Sequence, residues 1–288
     1  MDRDVLLVPI ANPASASRLV DTATDLAREL DLAIDVLHVV RVPPQVPLSQ
    51  ASVVLESDTG FVFGCVDELE RRGLDATARI RYARSISRGI ITACEDSRVT
   101  LGLLGWRGRP QRRDVLMGSY LDNVVNRAPC DILVERIDEG ERRIDSMLVP
   151  VAGGPHVELA LVTAEALAHQ HHAGIEIVHV VEPDPEADAV DRATGYLGSA
   201  AATLDPAIDV TQTVLEDEDV VAAIVEAGRS HDLTLLGAAE EGIISQLLFG
   251  EIPERVGRAS TSGVILAKRN LGLSERLSGL RRWVARLR

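Results

Sequence analysis

The residues best placed to do chemistry lie between Gly105 and Tyr120, in the run GWRGRPQRRDVLMGSY. Glycines and a serine are spaced there as G-x2-G-x9-G-S, at Gly105, Gly108, Gly118 and Ser119. The apolar run TLGLLG precedes them and predicts a strand. Gly105 lets the backbone turn sharply off that strand, and Gly108 admits positive φ and close backbone approach. Gly118 and Ser119 open the next helix, whose unpaired amides and dipole favour an anion. Arg107, Arg109, Arg112 and Arg113 add cations to the same loop, and the planar guanidinium fork matches phosphate oxygens. The chemistry implied is the binding of a phosphorylated ligand. The plain alternative is a solvated turn in which Ser119 is an ordinary N-cap. A position after an apolar strand and before a helix favours the anion site.

The elements that must carry this loop occur twice. LLVPIAN (6–12) matches MLVPVAG (147–153), and LHVV (37–40) matches VHVV (178–181), both at an offset of 141. LGLLG (101–105) matches LTLLG (233–237), and CDILV (130–134) matches SGVIL (262–266), both at an offset of 132. The second copy is therefore nine residues shorter, and the loss falls between its second and fourth strands. In the first copy, strands are expected near 4–10, 33–42, 76–83, 99–105 and 131–136. A helix near 14–30 buries Leu19, Ala23, Leu26 and Leu30 at helical period, and another near 84–97 shows Ile86, Ile90 and Ala93. Near-continuous apolar strands such as VLLVPI suit a parallel sheet covered on both faces. The expected fold class is α/β: two tandem doubly wound domains, each a five-stranded parallel sheet flanked by helices. Their ligands belong beyond the carboxyl ends of the strands, where strand order switches. Residues 1–138 form the first domain, 143–268 the second, and 269–288 a basic tail, with the polar IDEGERR (137–143) as linker.

Charge and composition narrow the function. The first 140 residues hold 17 Lys+Arg against 21 Asp+Glu, residues 141–268 hold 7 against 22, and residues 269–288 hold 6 against 1. A body this acidic argues against nucleic-acid binding. Lys268 is the sole lysine. An acidic, lysine-poor chain suits a halophile's salt-rich cytoplasm, though GC-rich coding gives the same arginine preference. No apolar run approaches the ~20 residues of a membrane-spanning helix, and the start lacks signal-peptide features. Cys65, Cys94 and Cys130 are scattered singles, which reads as buried thiols in a reducing compartment. A cytoplasmic protein is expected.

With its motifs and strand text taken together, the chain resembles the universal stress protein family over about residues 4–137 and again 144–268. That family places this glycine spacing after strand four to hold ATP or ADP phosphates, on an adenine-nucleotide alpha-hydrolase-like fold. The resemblance implies an ATP or ADP site, with or without magnesium. Its contacts would come from Pro9 and Ile10 after strand one, Val39 at the end of strand two, and Gly105, Gly108, Gly118, Ser119 and Tyr120 in and after the loop; by residue type, Arg107 and Arg109 join them. One departure stands out. Members that bind ATP usually carry an aspartate after strand one, and Ala11 takes that position here, with Asn12 the nearest polar substitute. The resemblance also implies pairing of the two copies within the chain, strand five against strand five, in imitation of the family's homodimer; a homodimer of the whole chain stays open.

The second copy departs further. Its loop reads GAAEEGIISQLLFGEI: Gly237 and Gly250 are kept, Glu240 replaces the second glycine, Glu251 replaces the serine, and Ala152 repeats the loss of the aspartate. Carboxylates aimed at a phosphate site repel it and offer no donors, so this copy reads as a degenerate structural partner. His169, His171 and His172 cluster at a helix end, where they complement the dipole without a metal. In the tail, Leu273, Leu277, Leu280, Val284 and Leu287 form one helical stripe beside Trp283, flanked by Arg276, Arg281, Arg282 and Arg286. It packs on the acidic second domain, or docks on a membrane surface or a partner's groove, making the protein peripheral to the membrane. The expected function is regulatory and not enzymatic, since PIANPASAS offers no paired histidines for adenylyl transfer; slow ATP hydrolysis stays open. The alternative is a nucleotide-free adaptor that docks on a membrane transporter or another partner.

Overall fold

The computed structural model describes residues 3–54, 59–106, 119–137, 143–238 and 251–271. In the first copy the elements run β1 (Val5–Pro9), α1 (Pro13–Leu30), β2 (Ala33–Arg41), a short α2 (Ala51–Val54), α3 (Gly60–Arg71), β3 (Ala76–Ala83), α4 (Ile86–Cys94), β4 (Val99–Trp106), α5 (Ser119–Arg127) and β5 (Asp131–Arg136). In the second they run β6 (Ser146–Pro150), α6 (Pro155–His171), β7 (Gly174–Val181), α7 (Ala187–Ala201), β8 (Val210–Glu216), α8 (Val220–Ala227), β9 (Leu233–Gly237), α9 (Glu251–Ala259) and β10 (Gly263–Lys268). The extra length of the first copy includes the turn Leu48–Gln50 and α2, which have no counterpart between β7 and α7.

The chain divides into two units. One comprises Met1–Gly105, Gly118–Ile132 and Arg269–Arg288; the other comprises Trp106–Met117 and Leu133–Lys268. In the first, β1 lies between β2 and β4, β3 is outside β2, and β1/β2, β1/β4 and β2/β3 are parallel. In the second, β6 lies between β7 and β9, with β8 and β10 outside them, and β6/β7, β6/β9, β7/β8 and β9/β10 are parallel. The fold is α/β with a mostly parallel sheet flanked by helices. Strand order switches between β1 and β4 and again between β6 and β9. Connections leave to opposite sides at such a point and open a crevice at the strands' carboxyl ends.

Local causes are plain. In β1, VLLVP buries its first four side chains because helices cover both faces. Asn12 caps α1 by accepting from the Ser15 N–H at 3.2 Å, and Pro13 supplies the preset φ of a first turn. Helix α1 turns Leu19, Val20, Ala23 and Leu26 to the core and leaves Leu30 half-buried. In α4, Ile90 and Ala93 are buried as expected, but Ile86 is exposed; it stands at the first helical position, before the apolar stripe has turned inward.

Candidate functional site

At the first switch point, β1 ends in Pro9 and the buried Ile10. The Ile10 N–H donates to the Leu37 carbonyl at 2.8 Å, holding the chain against β2 past the strand's end. Its carbonyl lies 2.8 Å from Nδ1 of His38. A carbonyl only accepts, so Nδ1 carries a proton, and in the neutral ring Nε2 is the acceptor. Phe61 meets the His38 ring edge-on, with centroids 5.1 Å apart. Val39 packs on α4: a Cβ on Gly89 would stand 2.6 Å from its Cγ1. Gly105 and Trp106 end β4, and Ser119 opens α5. Tyr120 is 45% exposed in the first turn of that helix, while Leu121, Val124 and Val125 bury its inner face. Thus Pro9, Ile10 and Val39 are at the carboxyl ends of adjacent strands, and Gly105 is at the end of β4 on the other side of β1. Arg107, Gly108, Arg109, Arg112, Arg113 and Gly118 lie outside the described residues. Ala11 is exposed, and the side-chain oxygen of Asn12, its nearest polar neighbour, is engaged in capping α1.

The second switch point holds a cavity of about 340 Å³. Pro150, Val151, Val178, Leu236, Ile224 and Pro253 are among its walls, and His179 also lines it. Val151 repeats Ile10: its N–H donates to Val178, and its carbonyl lies 2.6 Å from Nδ1 of His179. Tyr196 tilts over the His179 ring at 5.2 Å. Gly153 and Gly154 lead into α6 at φ of 83° and 89°, a region that glycine enters without strain, and Tyr196 lies against Gly153. Gly237 ends β9 where a Cβ would stand 2.6 Å from the backbone of His156 and Val157. That glycine is therefore required by the approach of β9 to the start of α6, whatever the loop binds. Glu240 lies outside the described residues.

Neither His38 nor His179 stands out when the strands are read as apolar runs, although each sits inside a repeated block, at LHVV and VHVV. The signal is the repetition itself: a polar ring kept at one place in two repeated blocks.

The remaining features are structural in their contacts. His172 closes α6 at φ 56°, and Nε2 of His169 stands 3.4 Å from Asp205. Among the described residues, no group of three or more His, Cys, Asp or Glu could hold a metal ion. Cys65, Cys94 and Cys130 are free and buried. Arg269 and Asn270 are tied to the start of β5: the Asn270 N–H donates to Asp131 at 2.7 Å, its amide donates to the Ala128 carbonyl at 3.0 Å, and Arg269 lies 3.5 Å from Asp131. The apolar stripe from Leu273 to Leu287 and its arginines lie outside the described residues. Among the described residues, no helix is long and apolar enough to cross a membrane.

Tandem parallel α/β units, each with strand order switching between its first and fourth strands, define the class: a two-copy doubly wound α/β protein. The family model of the universal stress proteins matches residues 3–136 and again 143–268. The chain belongs to the universal stress protein family. Its fold is similar to that of a universal stress protein from Archaeoglobus fulgidus DSM 4304, with 18% identity over 93% of this chain and 97% of that one and a TM-score of 0.68. A functionally unknown protein from Pseudomonas aeruginosa PAO1 is similar at 14% identity over 99% and 97%, with a TM-score of 0.67. The cytoplasmic domain of a prokaryotic cation chloride cotransporter is similar at 15% identity over 92% and 95%, with a TM-score of 0.62. No curated protein sequence matches the chain.

Proposed function

We propose that the chain is a regulatory protein, not an enzyme, that binds ADP or ATP through its first copy. The second copy lacks the phosphate-binding set and serves as the structural partner of the first. The observation that carries this reading is where the motif falls. The G-x2-G-x9-G-S spacing begins at the end of β4 and finishes at the first residue of α5, beside the switch point. A loop with that placement offers backbone N–H groups, a helix N-terminus and guanidinium forks to one anion. By residue type the loop suits a phosphorylated ligand, and the apolar ends of β1 and β2 suit a base. Nε2 of His38 adds one acceptor. Bound nucleotide would supply the phosphates, with or without magnesium; the protein's part is to hold them.

A second reading is an adaptor without nucleotide that docks on a membrane transporter, with the basic tail at 270–288 as a contact. Ala11 favours it, because the expected polar anchor is missing. The similarity to a cotransporter's cytoplasmic domain favours it as well. Mass spectrometry of small molecules released from purified, denatured protein separates the two. The nucleotide reading expects an adenine nucleotide at up to one per chain. A protein that releases none and takes up none when ADP is added would put the adaptor reading first.

A further inference from the structure

Among the described residues, the cavity at the second switch point has no cationic side chain of the kind that would hold a phosphate. Its walls are aliphatic, and no charged side chain lines it among the described residues. The loop between β9 and α9 carries Glu240 and Glu241 and has no Lys or Arg between Gly237 and Glu251. Residues 141–268 as a whole carry a large excess of acids, 22 against 7 Lys+Arg. An anion brought here loses its hydration and meets no cationic side chain among the described residues, which is costly. The volume, about 340 Å³, still falls in the ~300–1,000 Å³ range of small-molecule sites, which are typically apolar with a few placed polar groups.

One such group is present. The Val151 carbonyl takes the Nδ1 proton of His179, so in the neutral ring Nε2 is the acceptor, on a side chain that lines the cavity. Tyr196 tilts over the ring at 5.2 Å. A fully structural second copy has no need of an open cavity with an oriented imidazole, and filling it with larger side chains would add stability.

We propose that this cavity binds an uncharged, largely apolar small molecule that donates one hydrogen bond to His179 and carries no phosphate. The site is separate from the nucleotide site proposed for the first copy, and it gives the second copy a ligand of its own.

A matched pair of probes tests it on the full chain: 1-naphthol, neutral with one hydroxyl donor, and 1-naphthyl phosphate, the same rings with a dianion. Calorimetry is expected to show one 1-naphthol site per chain. Methyl NMR is expected to confine the largest shifts to the cavity wall, at Val151, Val157, Val178, Val180, Val220, Ile224 and Leu236. In Val220→Phe, which fills the cavity from the start of α8, 1-naphthol affinity is expected to fall at least tenfold while ADP binding is unchanged. 1-Naphthyl phosphate is expected to leave those methyls unmoved. No 1-naphthol binding, methyl shifts elsewhere, or full affinity in a folded Val220→Phe protein would overturn the proposal. If that variant does not fold, the methyl map of the unaltered protein decides. ADP binding without 1-naphthol binding sinks this proposal alone; the reverse sinks the first-copy nucleotide reading alone.

Discussion

Gly237→Ala separates two reasons for a glycine at the end of strand four. In the second copy Glu240 and Glu251 stand where the first has Gly108 and Ser119, yet the glycine remains. A Cβ at position 237 would stand 2.6 Å from the His156 carbonyl carbon and the Val157 nitrogen, and 2.8 Å from the His156 oxygen. The shortfall from ordinary contact is about 0.8 Å, and the obstacle is backbone in the first turn of α6. A flexible side chain could swing away, but this backbone is locked to buried Val157, Leu159 and Ala160. Relief requires moving α6 or β9. Overpacking a well-packed site costs typically 1–3 kcal/mol, and a backbone obstacle puts this case at the upper end, about 3 kcal/mol. Gly195→Ala is the control in the same copy. Gly195 is exposed inside α7, and nothing lies within 4 Å of an added Cβ, so helix propensity predicts a gain of roughly 0.5–1 kcal/mol. Urea denaturation followed by circular dichroism measures both. A Gly237→Ala protein within about 0.5 kcal/mol of the parent would refute the packing explanation and return the glycine to a ligand-binding role.

Other outcomes are as definite. Burial pushes the Asp35 carboxyl above its ordinary value of 3.8, even with Arg79 2.6 Å away, and the nearby Asp96 adds to the rise. The folded state therefore holds this proton more tightly than the unfolded chain, and stability falls as pH rises from about 3.8 through the raised folded value. Asp35→Asn should gain on the parent across that window and keep a constant advantage above it; thermal melts that show the two proteins diverging toward lower pH would contradict this. For the tail, truncation after Leu271 keeps both Asn270 hydrogen bonds and should leave the melting temperature unchanged. Truncation after Lys268 removes the partners of the buried Asp131 and should cost about 1–3 kcal/mol. If the stripe at 273–287 binds membranes, both truncations should abolish co-sedimentation with anionic vesicles; binding that survives would place the membrane contact elsewhere.

Much of the fold was written in short apolar blocks. LLVPIAN and MLVPVAG mark β1 and β6 because each repeats one buried strand and its exit. LTLLG locates β9 from LGLLG in the same way. The doubly wound α/β class follows from alternating blocks of this kind and is the class observed. Single side chains were harder. Ile86 fits a helical stripe by spacing yet faces outward, because the helix begins at that residue. Asn12 reads as a free polar group next to Ala11, but the geometry of the first turn makes it a cap. His38 and His179 hide within apolar strands, and their role depends on a carbonyl 28 residues away in each case. The second-copy cavity could not be read from a linear pattern, since it is the space left unfilled between three strands and three helices that lie far apart in sequence. The glycine spacing was fully legible in the sequence, and β4 and α5 flank it as expected.

The central claim is that one copy binds a phosphorylated nucleotide and the other does not. Titration of ADP into the full chain by calorimetry tests it most directly, with Gly118→Asp as the paired variant. A lost charge-assisted contact is worth roughly 1.5–3 kcal/mol, so a carboxylate at position 118 should weaken ADP by at least about tenfold. The account predicts one site per chain in the parent and that loss in a folded Gly118→Asp protein. Two equivalent sites, or full ADP affinity in the folded variant, would contradict it.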